Sequence, residues 1–214
     1  MRVPLLRPAY WRPRLLLVVV SAILLAGPNL AALAQVKPRG ELPSLSPELA
    51  TVRAGLDKYQ DPILAIHDGY WSSVGCIEYP NGGGEGAMRY PPGGMGVHFL
   101  NFQFVGPKLD PAKPQVLIYE PVGDKLRLVA AEWFMPVEAA GVEVPSVFGQ
   151  QLQGPMEGHK PLMPEGLHHY DLHVWLWKKN PGGVFSPTNV AVKCPKNGYS
   201  FAEAAPKMVM RERH

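Results

Sequence analysis

The spacing of hydrophobic residues changes from helical to alternating near residue 70 of this 214-residue chain. Ser46-Pro47-Glu48 is typical of a helix start, because serine caps the first turn and proline suits its first position. Asp61-Pro62 predicts a second, short helix that Gly69 ends. The residues beyond Gly69 form alternating stretches or loops, so we expect helices first and strands afterwards.

Several segments in the rest of the chain have the pattern of strands. A short strand is expected from Val97, a hairpin from Val116–Glu120 and Leu126–Phe134, and a closing strand at Val190–Cys194. The glycine- and proline-rich stretch 81–96 predicts a mobile surface loop. This order of elements predicts an α+β fold, in which N-terminal helices pack on a curved antiparallel sheet or small β-barrel.

The stretch from His168 to Trp177 has the most unusual pattern in the chain. With a period of two, it gives an apolar face that consists of Tyr170, Leu172, Val174 and Leu176. The opposite face consists of His169, Asp171, His173, Trp175 and Trp177. A strand face that only meets water rarely carries two imidazoles, a carboxylate and two indoles, so this face is a candidate site.

Two residues elsewhere suggest that the candidate site binds a metal. His98 lies on the strand that begins at Val97, and Glu132 shares its predicted face with Leu126, Leu128, Ala130 and Phe134. A carboxylate buried there must pair, bind a metal or be protonated, because burying it alone is unfavourable. We therefore predict a metal site of His98, Glu132 and His173, with His169 and Asp171 as additional ligands. These donors suit Zn²⁺, or Fe²⁺ or Mn²⁺ where coordination positions stay open.

The sequence also allows readings without a metal. In one, the histidines are hydrogen-bonded structural residues and Glu132 pairs with one of them or with Arg127. In another, Trp175 and Trp177 form a flat binding surface for a sugar or an extended peptide. In a third, the exported domain is purely structural and the N-terminal helices cover the face of histidines and tryptophans.

No motif in the sequence identifies a reaction, so the sequence does not decide whether the protein is an enzyme. Neither Gly-x-Ser-x-Gly nor His-Glu-x-x-His occurs. If a metal is bound, its water is a candidate nucleophile, with a carboxylate such as Glu120 as base.

The N-terminus has the features of a secretory signal peptide. Four arginines precede an apolar run at residues 15–25, and Ala32-Leu33-Ala34 fits a cleavage site. We predict a signal peptide at 1–34, a flexible lead-in at 35–45, one globular domain at 46–195 and a disordered tail at 196–214. The mature protein is then periplasmic or secreted and has no stable membrane anchor.

Removal of the leader changes the charge of the chain. Lys and Arg total 21 against 18 Asp and Glu, but four of the arginines lie in the predicted leader, which leaves 17 against 18. A nearly neutral chain lacks the basic surface that nucleic-acid binding requires. A metal ion or a small molecule is the expected partner.

Cys76 and Cys194 are the only cysteines. In an exported protein such a pair is typical of a disulfide, whereas a cysteine nucleophile would have to stay reduced. Closing a loop of more than a hundred residues stabilises a fold by about 4–5 kcal/mol in the chain-entropy model.

Five short motifs lie along the predicted domain: Gly94-Met95-Gly96-Val97-His98, Leu109-Asp110-Pro111, Leu117-Ile118-Tyr119-Glu120-Pro121, Leu126-Arg127-Leu128-Val129 with Glu132, and Leu172-His173-Val174-Trp175-Leu176-Trp177 followed by Asn180-Pro181, Phe185, Asn189 and Cys194. Through these motifs, roughly residues 48–195 resemble an uncharacterised family of exported bacterial proteins. The resemblance implies bacterial export and a single domain, and it implies no activity. His98, Glu132 and His173 fall inside these motifs.

Overall fold

The structure is a computed structural model that describes residues 42–85, 88–158, 164 and 166–196. All of these belong to one compact unit, Pro38–His214. The predicted signal peptide at 1–34 lies outside the described residues, as do positions 35–41 of the lead-in and all of the predicted tail except Lys196.

Local capping explains where the first helices begin. Helix α1 spans Pro47–Leu56, and the side chain of Ser46 accepts a hydrogen bond from the Leu49 amide at 3.3 Å. A 3₁₀ turn, Asp57–Gln60, leads to helix α2, Pro62–His67, whose cap Asp61 accepts from the Ile63 amide. These contacts confirm the two helix starts that the sequence predicts.

Ten strands follow these helices in the part of the chain that the structure describes. They are β1 (Trp71–Tyr79), β2 (Gly83–Glu85), β3 (Met88–Tyr90), β4 (Gly93–Leu100), β5 (Val116–Val122), β6 (Lys125–Pro136), β7 (Ser146–Val147), β8 (Gln150–Gln151), β9 (Gln153–Met156) and β10 (His169–Val174). A 3₁₀ turn at Phe102–Phe104 and a short helix α3, Val137–Ala140, lie between them.

Six of the strands form one antiparallel sheet in the order β1-β4-β5-β6-β10-β9. Two small hairpins, β2-β3 and β7-β8, complete the strand pairing of the described residues. A large antiparallel sheet with few helices is therefore the architecture, which agrees with the α+β class at this level.

The glycine-rich stretch 81–96 is not the mobile loop that its composition predicts. It forms β2, β3 and the first part of β4. A Cβ on Gly94 would meet the Val192 carbonyl at 2.7 Å, and one on Gly96 would meet the Tyr119 carbonyl at 2.6 Å. Glycine is needed here because two backbones approach closely, which sequence alone does not distinguish from a loop.

The closing strand predicted at Val190–Cys194 is also wrong. Among the described residues, the strand pairing nearest to this segment is an isolated bridge to Gly94. It is made by Asn189, the residue just before the segment. The segment lies against β4 because the glycines there leave room for it, and the bridge provides two backbone hydrogen bonds, at 2.9 and 3.0 Å.

The β5-β6 hairpin is confirmed, but a β-bulge changes which residues share a face. Ile118 pairs with Ala130 whereas Tyr119 pairs with Leu128, so Val129 is an extra residue on β6. A bulge shifts the alternation by one position. The predicted common face from Leu126 to Phe134 is therefore wrong, and Leu128 is buried in a different cluster from Ala130.

The buried residues of the sheet belong to two main clusters. The first cluster includes Leu117, Tyr119, Trp133, Leu172 and Val174 of the sheet together with Leu49, Leu56 and Tyr59 of the helical segment. The second cluster consists of Val116, Ile118, Val129, Ala130, Trp175 and Val192. Because β5 alternates between them, its two faces are both buried, each against a different set of side chains.

The predicted disulfide between Cys76 and Cys194 is confirmed, with a Cα–Cα distance of 5.6 Å. The Cys194 amide also donates to the Glu78 carboxylate at 2.8 Å. A disulfide fits a protein located outside the cytoplasm. Within the described parts of the chain, no helix is both long enough and apolar enough to cross a membrane.

Candidate metal centre

Strand register brings the three predicted ligands together. His173 on β10 pairs directly with Glu132 on β6, and His98 on β4 pairs with Ile118 on β5. Strand β5 separates β4 from β6, so the side chains of His98 and Glu132 meet over its face. Three strands that are far apart in sequence thus contribute one group each.

The three side chains converge on one carboxylate oxygen. Glu132 Oε2 lies 3.4 Å from His98 Nε2 and 3.3 Å from His173 Nε2. One ligand atom from each of the three residues lies within 4.8 Å of the others. The imidazole rings are nearly perpendicular, at 83°. This geometry places two nitrogens and one oxygen around a common point.

The spacing of these atoms suits a metal ion better than direct hydrogen bonds. Charge-assisted N–H···O hydrogen bonds are typically about 2.7–2.9 Å long. Ligand atoms at the corners of a tetrahedron around Zn²⁺, with bonds of about 2.0–2.1 Å, lie about 3.3–3.4 Å apart. The two distances to Glu132 Oε2 match that edge, and all three donor atoms lie within 4.8 Å of one another, so the group could hold a small divalent cation.

The surrounding negative charges favour a cation at this point and outweigh the opposing effect of burial. His98, Glu132 and His173 are 4%, 4% and 0% exposed. Burial on its own lowers the pKa of His173, but the charges of Glu132 and Asp171 raise it, and the net pKa lies above the ordinary histidine value. The negative potential that favours a proton on His173 also favours a metal ion.

Asp171 and His169 extend the same row without joining the three convergent groups. Asp171 Oδ1 lies 3.6 Å from His173 Nδ1, and Asp171 Oδ2 lies 3.8 Å from His169 Nε2. His169 Nδ1 lies 3.1 Å from the Leu167 carbonyl oxygen. The predicted additional ligands are therefore close to the site, but Asp171 approaches the nitrogen of His173 that faces away from Glu132, and His169 approaches Asp171.

The two tryptophans are parts of the interior. Trp175 is 0% exposed in the second cluster and donates to the Ser186 carbonyl, whereas Trp177 is 9% exposed in the first cluster and donates to Asp57 Oδ1. Because β10 ends at Val174, the period-two pattern does not continue to Trp177. The shared face predicted for Trp177 and His173 is wrong, and burial favours a packing role over a flat binding surface for both rings.

Two other carboxylate assignments also change. Lys178 Nζ donates to both carboxylate oxygens of Glu120, at 2.6 and 2.7 Å, so the carboxylate suggested as a base for a metal-bound water forms an ion pair instead. Arg127 is the cross-strand neighbour of Glu120, not of Glu132. The predicted alternative in which Arg127 neutralises Glu132 does not fit this register.

Ser73 is a supporting residue that the sequence does not reveal. Its Oγ accepts a hydrogen bond from the His98 amide at 3.2 Å, in a part of β1 where the pairing with β4 is irregular. A lone serine in a strand has no recognisable pattern. Because the pairing of β1 with β4 is irregular at this point, the Ser73 hydroxyl, and not a backbone carbonyl, accepts the hydrogen bond from the His98 amide.

Comparisons of this chain with family models, with curated proteins and with solved structures found no match. The geometry of the site is therefore the main indication of what the protein binds.

Proposed function

We propose that this protein is an exported metal-binding protein that holds one divalent cation with His98, Glu132 and His173. The observation that carries the proposal is the approach of two imidazole Nε2 atoms, from separate strands, to the same buried oxygen of Glu132 at 3.3 and 3.4 Å. A buried carboxylate between two imidazoles is costly to maintain unless a metal ion or a proton compensates its charge, and two imidazole nitrogens beside one oxygen suit a metal ion.

The donor set limits the choice of metal and of site type. Two imidazoles and one carboxylate suit Zn²⁺, Fe²⁺ or Mn²⁺. Structural zinc sites use four protein ligands, whereas three leave a coordination position for water or another small molecule. A bound ion would supply Lewis acidity at that position. The protein groups would fix the ion and exclude bulk water, since all three are buried.

Export and the finer architecture belong to the same proposal. The leader-like sequence at 1–34 and the resemblance to exported bacterial proteins support a periplasmic or secreted location for a single domain at 46–195. We propose that its N-terminal helices pack on the curved sheet. Supporting contacts are the hydrogen bonds from Tyr119 Oη to the Tyr59 carbonyl and from Trp177 Nε1 to Asp57 Oδ1, both 2.6 Å.

The direct test is the metal content of the full chain, produced in a bacterium with its own leader and purified without a histidine tag or chelator. Inductively coupled plasma mass spectrometry should find close to one Zn, Fe or Mn ion per protein. His173→Ala, His98→Ala and Glu132→Gln should each reduce this to background. Chelation should also lower the melting temperature of the wild type, because a ligand that binds only the folded state stabilises it.

His67→Ala is the matched control for these substitutions. His67 is an exposed histidine on α2 that contacts Asp68 at 2.9 Å, outside the predicted site. This variant should retain the wild-type metal content. A metal-free wild type whose melting is unchanged by chelation would refute the proposal and favour a purely structural domain.

A further inference from the structure

The row of buried polar groups continues past the three proposed ligands. His98, Glu132, His173, Asp171 and His169 follow one another as alternating imidazoles and carboxylates, with successive contacts of 3.4, 3.3, 3.6 and 3.8 Å. Asp171 and His169 are each 1% exposed. The proposed ion explains the first three groups and leaves the burial of the last two to be explained.

Strand geometry places Asp171 beside His173. The two residues are separated by one position on β10, so their side chains lie on the same face of the sheet. His173 presents Nε2 to Glu132 and Nδ1 to Asp171. Each nitrogen of this imidazole therefore faces a different carboxylate.

Asp171 is badly placed to bind the same ion. The lone-pair directions of Nδ1 and Nε2 diverge around the ring, and a metal held by Nε2 lies on the side away from Asp171. However, metal-binding histidines commonly donate their second ring N–H to a carboxylate, which fixes the tautomer and the ring orientation. Asp171 lies on the side of the ring that such a partner occupies. Its Oδ1 is 3.6 Å from Nδ1, longer than a hydrogen bond, so the two side chains must approach slightly for the N–H to be donated.

His169 in turn restrains Asp171. Its Nδ1 lies 3.1 Å from the Leu167 carbonyl oxygen, and its ring packs against Phe134 with centroids 4.7 Å apart. These contacts aim Nε2 at Asp171 Oδ2. The buried carboxylate thus lies between two imidazoles, one of which is fixed by the backbone.

We infer that Asp171 is a positioning residue that holds the Nδ1–H tautomer of His173 so that Nε2 is available to a metal ion, and that His169 keeps Asp171 in place. This inference depends on the proposed metal site and replaces the prediction that Asp171 and His169 are themselves ligands. It concerns the affinity of the site for the ion, whereas His98, Glu132 and His173 determine whether the ion binds.

The test is a competition titration of the full-length protein with Zn²⁺ against a chromophoric chelator. Asp171→Asn should retain one Zn²⁺ site but weaken it by about 10- to 100-fold, which is the usual effect of losing such a partner. His173→Ala should lose the site. Asp68→Asn is the matched control, because Asp68 also contacts a histidine Nδ1, that of His67 on the surface, and should not change the affinity.

A spectroscopic measurement separates positioning from a general structural effect, and its first observation is made on the wild type. In ¹⁵N-labelled wild-type protein with Zn²⁺ bound, the His173 ring should show a protonated Nδ1 whose hydrogen exchanges slowly with water. That signal should broaden or disappear in Asp171→Asn while the other imidazole signals persist.

The outcomes distinguish this inference from the proposal on which it rests. A wild type without stoichiometric Zn²⁺ would overturn both. A wild type that binds Zn²⁺ with His173 protonated at Nε2, or an Asp171→Asn variant with unchanged affinity, would overturn the positioning role alone. Complete loss of stoichiometry in a folded Asp171→Asn protein would make Asp171 a ligand and would also overturn it.

Discussion

The two faces of β10 are equally buried but chemically opposite. Leu172 and Val174 are 1% and 0% exposed in the first cluster, and Asp171 and His173 are 1% and 0% exposed on the other face. Burial of the apolar side chains stabilises the fold, whereas burial of the polar row opposes it unless its charges are compensated. The comparison shows that burial alone does not make a residue part of a hydrophobic core, and that the polar face needs a cation or a proton.

The disulfide lies on the side of the first cluster. Cys76 belongs to that cluster and Cys194 packs against it, whereas Val192, two residues earlier, belongs to the second cluster. Replacing both cysteines with serine should lower the free energy of unfolding by about 4–5 kcal/mol, because the bond closes a loop across 118 positions. Urea denaturation of the oxidised wild type and the double variant would measure this. The wild type treated with a reductant should show a similar loss; a difference below about 1 kcal/mol would contradict the entropic argument.

The apolar face should affect stability without affecting the metal. Leu172→Ala should lower the free energy of unfolding by about 2–5 kcal/mol, since it opens a cavity in the first cluster. The metal content should stay at the wild-type value, and chelation should still lower the melting temperature. Val142→Ala, at a fully exposed position, is the control and should change stability by less than about 0.5 kcal/mol. Loss of metal in a folded Leu172→Ala protein would show that the two faces are coupled.

The smallest effect is expected at Asp68, which pairs with His67 on the surface much as Asp171 approaches His173 in the interior. Hydrogen bonds from Lys58, then His67 and Tyr59, hold the pKa of Asp68 well below its ordinary value. A lowered folded-state pKa contributes stability above the ordinary aspartate pKa, and that contribution is lost as the pH falls through the folded value. Asp68→Asn should therefore lower the melting temperature slightly at neutral pH, and the difference from wild type should shrink under acidic conditions. Thermal melts across the acidic range would test this, and a constant difference at every pH would contradict it.

Some of this structure follows from interactions between neighbouring residues. The caps at Ser46 and Asp61, the β5-β6 hairpin and the alternation of polar and apolar groups from His169 to Val174 all depend on short stretches of chain. The disulfide is predictable for a different reason, since only two cysteines are present. In each case few alternatives compete with the observed arrangement.

The predictions that the structure contradicts concern places where segments distant in sequence meet. The glycines of β4 have the composition of a loop, but they allow close contact with the Asn189 to Val192 segment and with β5. The bulge at Val129 reverses the face of the residues before it, and the end of β10 at Val174 places Trp177 in the first cluster. The alternation of polar and apolar residues within one strand does not predict these changes of register, because they depend on the partner strands.

The order of residues along the chain fixes which residue types are available for a site and which of them alternate on one strand. The approach of His98 to Glu132 over β5, of Glu132 to His173, and of Asp171 to His173 Nδ1 arises only on folding. The physical reason is that alternation is a property of one extended backbone, whereas convergence of three strands requires a specific antiparallel register between segments that are 34 and 41 positions apart.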